Sequence, residues 1–157
     1  NNNKTTQSSQ KNQPPVFNNN GMRINGGVGC AGCHQAPEFD IDPNSRNNGV
    51  IGTIGQLGTD LTNTRSPSLR DVVKQNGDTN GGFMHNGAFE ELIGVINHYN
   101  VIDGTGNNNL DPRLRPGGNP QQLNMTLNEK NALVTFMETL SGADLYTNSK
   151  WSNPFID

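Results

Sequence analysis

Apolar residues recur at helical spacing in two segments of the chain, residues 88–100 and residues 126–142. In the first segment the apolar face consists of Phe89, Leu92, Ile93, Ile96 and Tyr99. In the second it consists of Leu133, Val134, Met137 and Leu140. Thr126 and Glu129 have the spacing of a capping box at the start of the second segment, and Gly142 is a natural end. The pattern predicts one amphipathic helix in each segment.

A third helix is predicted in residues 66–77, SPSLRDVVKQNG. Ser66 is a suitable N-cap and Pro67 suits the first helical position. Between these segments the chain is rich in glycine, asparagine and proline, which favour turns. No strand pattern stands out, so we expect an all-α fold with few helices and long loops.

Composition indicates one domain with a small core. The chain has 157 residues, of which 30% are apolar, 19 are glycine and 9 are proline. Residues 1–15 are polar and end in two prolines, so we expect a flexible tail followed by one domain over residues 16–157. A chain with so little apolar side-chain area would gain from a large buried prosthetic group, which would extend its core.

Charge and hydropathy argue against two classes of partner. The net charge is −3 and no basic run is present, so nucleic-acid binding has little support. No stretch approaches the ~18 apolar residues that a membrane span needs. The opening NNNKTTQSSQ resembles a mature terminus after processing. Membrane association through a lost lipid anchor or a partner stays open.

The only cysteines, Cys30 and Cys33, lie in the run GCAGCH and are followed directly by His34. A thioredoxin-like redox pair would follow a strand in a βαβ unit, and no such strand is apparent. A zinc site would need about four ligands, and adjacent Cys33 and His34 would bind one tetrahedral ion awkwardly. The third alternative is covalent attachment of haem c, of which Cys-x-x-Cys-His is the signature.

Haem c explains the spacing best. Thiols about one helical turn apart can both form thioethers with the vinyl groups of one porphyrin, and the histidine then ligates the iron. We therefore expect Cys30, Cys33 and His34 to bind one covalent haem c in a cytochrome c-like domain. Because haem c is attached outside the cytoplasmic membrane, we expect a periplasmic or extracellular protein.

From Cys30 onwards the order of motifs resembles the C-terminal haem domain of bacterial di-haem cytochrome c peroxidases, and the resemblance covers roughly residues 16–157. Relatives that make tryptophan-derived quinones on partner proteins share this pattern. The matching segments are CAGCH (30–34), EFDIDPNSRNNGVIG (38–52), RSPSLRDV (65–72), GFMHNGAFEELIGVINHYN (82–100), TLNEKNALVTFMETLSG (126–142) and WSNPF (151–155). The family carries two haems, whereas this chain has one attachment motif, and that motif matches the electron-relaying domain.

The resemblance therefore implies electron transfer by one haem between redox protein partners, rather than an enzyme. The alternative is a peroxidase-like enzyme or subunit that reduces hydrogen peroxide, completed by a second haem domain or chain. A third arrangement, a homo-oligomer or assembly that stacks haem domains, also stays open.

The sixth iron ligand has several candidates. In the family it lies near the end of the helix after the HNG motif, which corresponds to Tyr99 here, although Tyr99 would serve equally well as a core aromatic. Met84 is the second candidate, since a thioether is a common ligand in relay cytochromes. The remaining alternatives are His85, His98 and a position that is open or filled by a ligand from a partner. Tyrosinate would favour ferric iron, and methionine would favour ferrous iron.

Two further sites follow from the sequence. Arg70, in the matching PSLR, is the candidate partner of a haem propionate, with a solvent-exposed arginine as the alternative. Asp40, Asp42 and Asn44 have alternating oxygen side chains that could bind Ca²⁺. They do not fit the EF-hand template, although the family binds calcium between its domains.

Overall fold

Two α-helices, two small antiparallel sheets and four short 3₁₀ turns form the regular structure of the described residues. The computed structural model describes residues 13–39, 43–74, 76–144, 146–152 and 155. The strands are β1 (Val16–Phe17), β2 (Arg23–Asn25), β3 (Gly52–Thr53) and β4 (Gln56–Thr59), and the helices are α1 (Leu92–Asn100) and α2 (Leu127–Glu138). The 3₁₀ turns are Cys30–Gly32, Pro112–Leu114, Pro116–Gly118 and Ser149–Trp151.

The helix predicted in residues 126–142 is confirmed as α2, including its capping box. The Thr126 hydroxyl accepts a hydrogen bond from the Glu129 N–H, and the Glu129 carboxylate accepts one from the Thr126 N–H. These two bonds satisfy backbone donors that the first turn of a helix leaves without partners. The helix ends at Glu138, four residues before Gly142. The first helix, α1, begins at Leu92 rather than at residue 88.

The expectation of an all-α fold is wrong, because extended segments pair in two places. Strand β1 pairs antiparallel with β2, and β3 pairs antiparallel with β4. The β3–β4 loop consists of two residues, Ile54 and Gly55, and Gly55 has a φ of +62°, which favours glycine. Each strand has only two to four residues, which is too short to show a period-two pattern in the sequence.

The helix predicted after Ser66 is also absent from the described residues of that segment. The Leu69 N–H, which would lie in the first turn of that helix, donates to the Phe39 carbonyl at 3.1 Å. Asp71 has a φ of +60°, which a right-handed helix cannot contain, and Val73 then forms a bridge with Thr79. Pairing with other parts of the chain therefore overrides the helical signal of Ser66 and Pro67.

The larger of two hydrophobic centres packs α1 against α2 and the preceding loops. We call its fully buried members the apolar cluster: Val73, Leu92, Ile96, Leu123, Met125 and Met137. Eight half-buried apolar side chains pack on it, including Val28, two residues before Cys30, and Leu69. A smaller centre consists of Ile102, Leu110 and Leu114, with Tyr99 packed against it. The two centres meet near the C-terminal end of α1.

A second buried region consists of polar side chains. Asn47 is 0% exposed, Asn107 is 2% exposed and Asp111 is 3% exposed. The Asn47 side-chain amide donates to the backbone carbonyls of Asp60 and Thr62, and its side-chain oxygen, Oδ1, accepts from the Asn107 side-chain amide at 2.7 Å. We call Asn47, Asn107, Asn109 and Asp111 the amide network. It joins the loop over residues 45–64 to the loop over residues 107–111.

Neither helix is long and apolar enough to cross a membrane, within the part of the chain that the structure describes. Most of the predicted tail, residues 1–12, lies outside the described residues. At its end, the Gln13 carbonyl accepts a hydrogen bond from the Gly27 N–H at 2.7 Å. The division into a tail and a domain over residues 16–157 stays a prediction.

Candidate haem site

The Cys30–Gly32 turn places the two cysteines and the histidine of the motif on one tight bend. Gly29 directly precedes the turn and has a φ of +80°, a left-handed conformation that favours glycine. The Cys30 carbonyl then accepts hydrogen bonds from the N–H groups of Cys33 and His34, at 3.1 and 2.9 Å. Cys30 is exposed and Cys33 is half-buried, and both present thiols rather than a disulfide. The bend therefore offers two thiols and one imidazole from five consecutive residues.

The His34 imidazole is held by backbone carbonyls through one of its two nitrogens. Nδ1 lies 3.0 Å from the Pro67 carbonyl oxygen and 3.2 Å from the Phe39 carbonyl oxygen. Because a carbonyl only accepts hydrogen bonds, Nδ1 carries the proton and Nε2 keeps its lone pair. Burial lowers the pKa of His34, which keeps the imidazole neutral at pH 7. A histidine that ligates a metal has this arrangement, in which the second nitrogen donates to a carbonyl.

The loop after His34 is tied to the segment over residues 67–70. The Ser68 hydroxyl donates to the Glu38 carbonyl at 2.9 Å, next to the bond between Leu69 N–H and the Phe39 carbonyl. Arg70, the predicted partner of a propionate, lies at the same loop. Its Nε lies 2.6 Å from a Glu38 carboxylate oxygen, and its Nη2 donates to the Pro37 carbonyl at 2.9 Å. Arg70 thus neighbours the motif, and its guanidinium is paired with Glu38.

Tyr99, at the end of α1, lies close to the cysteines of the motif. Burial, followed by the charge of Cys33, raises the pKa of Tyr99 to about 12. A hydrogen bond with the Asn48 side chain acts in the opposite direction, and Cys30 and Asp111 add to the rise. The charges of Cys30 and Cys33 therefore influence Tyr99, the first candidate for the sixth ligand.

Met84, the second candidate, meets Tyr99 at the same asparagine. The Asn48 Nδ2 donates to the Met84 Sδ at 3.3 Å. Met84 has a φ of +67°, a backbone conformation that residues other than glycine rarely adopt. Asn48 is therefore bonded to Met84, and its side chain also influences the pKa of Tyr99.

The two remaining histidines are engaged elsewhere. His98 Nε2 lies 2.9 Å from the Asn48 carbonyl oxygen and therefore donates to it, and burial lowers the His98 pKa. His85 Nε2 lies 3.7 Å from a carboxylate oxygen of Asp60, which makes an ion pair when the imidazole is protonated.

Sequence reasoning missed three residues of this site. Asn48 lies among residues that favour turns and Pro67 at a predicted helix start, yet the Asn48 amide donates to Met84 and the Pro67 carbonyl accepts from His34. The third is Arg113, whose Nη1 donates to the Gly32 carbonyl inside the motif at 2.7 Å. These roles depend on contacts between distant parts of the chain. Asn48 and Pro67 lie in segments that resemble the family, whereas Arg113 lies in none of them.

The described side chains fit covalent haem c. No three His, Cys, Asp or Glu side chains among the described residues converge as a metal site of their own. Haem iron does not need such a group, because the porphyrin supplies four nitrogens and the protein adds only axial ligands. Two thiols and a neutral His34 with Nδ1 protonated are the donor set that this cofactor requires.

The predicted calcium site stays a prediction. Asp40 and Asp42 lie outside the described residues, and Asn44 is exposed. The predicted haem residues Cys30, Cys33 and His34, in contrast, all lie within the described residues.

The chain is similar to a known protein in its structure, and not detectably in its sequence. No protein-family model matches the sequence, and no curated protein matches it significantly. The fold is similar to the crystal structure of a MauG-like protein associated with microbial copper homeostasis, with a TM-score of 0.51 and 22% sequence identity. The similarity covers 81% of this chain and 46% of that protein, so this chain spans less than half of its structural neighbour. Over 81% of its length the chain thus has a fold similar to that of a MauG-like protein.

Proposed function

We propose that the chain is a monohaem c-type cytochrome domain that relays single electrons between redox proteins. Cys30 and Cys33 would hold the porphyrin through thioethers, and His34 would be the fifth iron ligand. The observation that carries the proposal is the hydrogen bond from His34 Nδ1 to the Pro67 carbonyl. It leaves Nε2 as the ligand atom, on the histidine that directly follows two thiols on one bend.

The haem would supply a one-electron couple between ferric and ferrous iron. Tyr99 is our candidate for the sixth ligand, since it lies near the thiols at the end of α1. With two axial ligands from the protein, the iron has no open position, which suits electron transfer rather than peroxide chemistry. A tyrosinate ligand would stabilise the ferric state, so we expect a low reduction potential.

Attachment and partners follow from the same chemistry. Because haem c is attached outside the cytoplasmic membrane, the domain would work in the periplasm or outside the cell, and its partners would be redox proteins. The Arg70 guanidinium would bind Glu38 and a haem propionate at the same time, since an arginine has five N–H donors and can bind two carboxylates.

A second candidate function is a peroxidase-like subunit completed by another haem domain. The specific observation in its favour is that the similarity to the MauG-like protein covers 46% of that protein. In this case a second domain or chain would supply the open iron position, and the present domain would pass electrons to it.

The ferric spectrum of the haem-loaded chain tests the proposal. We expect covalent haem and a low-spin, six-coordinate spectrum that does not change when cyanide or hydrogen peroxide is added. Tyr99→Phe should alter the spectrum, whereas Tyr146→Phe, a control at a 57% exposed tyrosine, should not. A high-spin spectrum with a rapid peroxide reaction would instead favour the peroxidase-like function. A chain that attaches no haem in a competent host would contradict both.

A further inference from the structure

Phe39 has a backbone conformation that a bulky residue rarely adopts. Its φ of +53° lies in the left-handed region, which favours glycine, yet the side chain is a half-buried phenyl ring. Such a conformation persists only where the surrounding structure imposes it, and it is found more often at functional sites than elsewhere. The contacts of Phe39 show what this conformation provides.

The Phe39 carbonyl serves two hydrogen-bond donors from different parts of the chain. It lies 3.2 Å from His34 Nδ1 and accepts a bond from the Leu69 N–H at 3.1 Å. A carbonyl oxygen has two lone pairs, so it can accept both bonds. The single Nδ1 proton of His34 is in turn shared between this carbonyl and the Pro67 carbonyl, at 3.0 Å. Because two acceptors hold one N–H, the imidazole is less free to rotate than it would be with one.

The other contacts of Phe39 fix the position of that carbonyl. The Phe39 N–H donates to the Gln35 carbonyl at 2.7 Å, which closes the loop after His34. The Phe39 ring packs edge to face against the ring of Phe136 on α2, with the ring centroids 5.8 Å apart and the ring planes at 81°. The aromatic contact therefore anchors the side chain, while the left-handed backbone turns the carbonyl towards His34 Nδ1.

We propose that Phe39 is a positioning residue for His34 that lowers the reduction potential of the haem, an inference that rests on His34 being the iron ligand of the proposed function. A hydrogen bond from Nδ1 makes the imidazole a stronger donor through Nε2 and fixes the direction of the Nε2 lone pair. A stronger donor stabilises ferric iron relative to ferrous iron. The left-handed Phe39 backbone supplies a second acceptor beside Pro67, and the ring contact with Phe136 keeps that acceptor in place.

Substitutions at Phe39 separate the backbone conformation from the packing of the ring. Phe39→Gly loses the ring but adopts a φ of +53° without strain. Phe39→Ala loses the ring and keeps the strain, so its backbone should relax and withdraw the carbonyl from His34. Phe39→Tyr keeps the ring. Asn124→Ala and Asn124→Gly are the matched controls, since Asn124 has a φ of +49° and an exposed side chain.

In the haem-loaded protein, we expect Phe39→Ala to shift the redox equilibrium towards ferrous iron by about fivefold, the factor that one ordinary hydrogen bond contributes. For a one-electron couple this is a rise of about 40 mV in the midpoint potential. Exchange of the Nδ1 proton with solvent, followed by NMR of the ferrous protein, should also be faster. Phe39→Gly should stay nearer to the wild type than Phe39→Ala in both measurements, and Phe39→Tyr should match the wild type. The two Asn124 variants should leave both measurements unchanged.

Packing of the ring alone would not produce this order, because glycine removes the same ring contacts as alanine and leaves a more flexible backbone. Equal shifts in Phe39→Gly and Phe39→Ala, or a wild-type potential in a folded Phe39→Ala, would overturn the inference. Phe136→Ala, at a 43% exposed position, provides the test if Phe39→Ala does not fold. It should raise the potential by a smaller factor, and an unchanged potential would overturn the inference as well.

The outcomes distinguish the inference from the proposed function. Absence of covalent haem from the wild-type chain, measured with pyridine, would overturn both. Covalent haem with a high-spin spectrum and a rapid peroxide reaction in the wild type would overturn the electron-relay function alone. The order of the Phe39 variants, measured on the same haem, would then decide the inference.

Discussion

The apolar cluster and the amide network hold two regions of the molecule by different means. In the apolar cluster, side chains from α1, α2 and the nearby loops exclude water, as Leu123 at 2% exposure shows. In the amide network, Asn47 is buried as completely, but it is held by hydrogen bonds to the carbonyls of Asp60 and Thr62 and to Asn107. A chain with 30% apolar residues can therefore bury a second region only if nearly every polar group in it is paired.

The difference has a consequence for tolerance to change. Packing in the apolar cluster is shared among many contacts, so a neighbour can partly fill a gap. In the amide network each bond has one donor and one acceptor, and the loss of one partner leaves the other buried without any. The candidate haem site draws on both regions, since α1 carries Tyr99 and Asn48 directly follows Asn47.

The largest expected effect is in the apolar cluster. Leu123→Ala should lower the free energy of unfolding by about 3–5 kcal/mol, because it opens a cavity at a fully buried position. Denaturant unfolding measures this loss. Leu127→Ala is the control, since Leu127 is 69% exposed and its loss should cost at most about 0.5 kcal/mol. Equal losses in the two variants would show that the apolar cluster does not carry the stability.

The amide network should respond next. Asn47→Ala should lower the free energy of unfolding by about 2–3 kcal/mol, because the carbonyls of Asp60 and Thr62 and the amide of Asn107 lose a partner. The same denaturation measures it, with the exposed Asn108→Ala as the matched control. If Asn47→Ala behaved like Asn108→Ala, water would be replacing the lost bonds, and the region would not be a buried network.

The smallest expected effect concerns pH and Asp111. Burial raises the pKa of Asp111, but hydrogen bonds from the Arg113 side chain and from the N–H groups of Arg46 and Arg113 outweigh it and hold the pKa at about 2. A depressed pKa adds stability above the ordinary value of 3.8, and this stability is lost as the pH falls towards 2. Asp111→Asn should therefore lower the free energy of unfolding by about 1–2 kcal/mol at pH 7. It should also make the acid limb, the loss of stability with falling pH, less steep.

Stability against pH from 7 down to the acid transition measures this effect. Asp78→Asn, at an exposed aspartate, is the control and should keep the wild-type steepness. An acid limb that is equally steep in Asp111→Asn would mean that other carboxylates govern it.

The predictable parts of the fold are those with strong local signals. The period of the apolar residues located α1 and α2, and the Thr126–Glu129 capping box marked where α2 begins. The helix expected after Ser66 is wrong because Asp71 has a left-handed φ of +60° and Val73 forms a bridge with Thr79. The strands were not predicted, because two to four extended residues are too few to show a period-two pattern. For the same reason the predicted all-α class is wrong.

The candidate site divides in the same way. Cys30, Cys33 and His34 are adjacent, so their chemistry is legible in the sequence. Asn48 is 36 positions from Met84 and 50 from His98, and an asparagine before a glycine indicates only a turn. Its contacts with Met84 and His98 arise from tertiary packing, which no local pattern encodes.

Arg113 connects the amide network with the cysteine motif. Its guanidinium binds Asp111 through Nε and Nη2, at 2.8 and 2.6 Å, and reaches the Gly32 carbonyl, 81 positions away in the chain, through Nη1. A disturbance of the network would thus reach the turn between the two thiols through one side chain that is hydrogen-bonded to both. In the haem-loaded protein, the visible spectrum would then act as an optical reporter of a hydrogen-bond network that touches no chromophore.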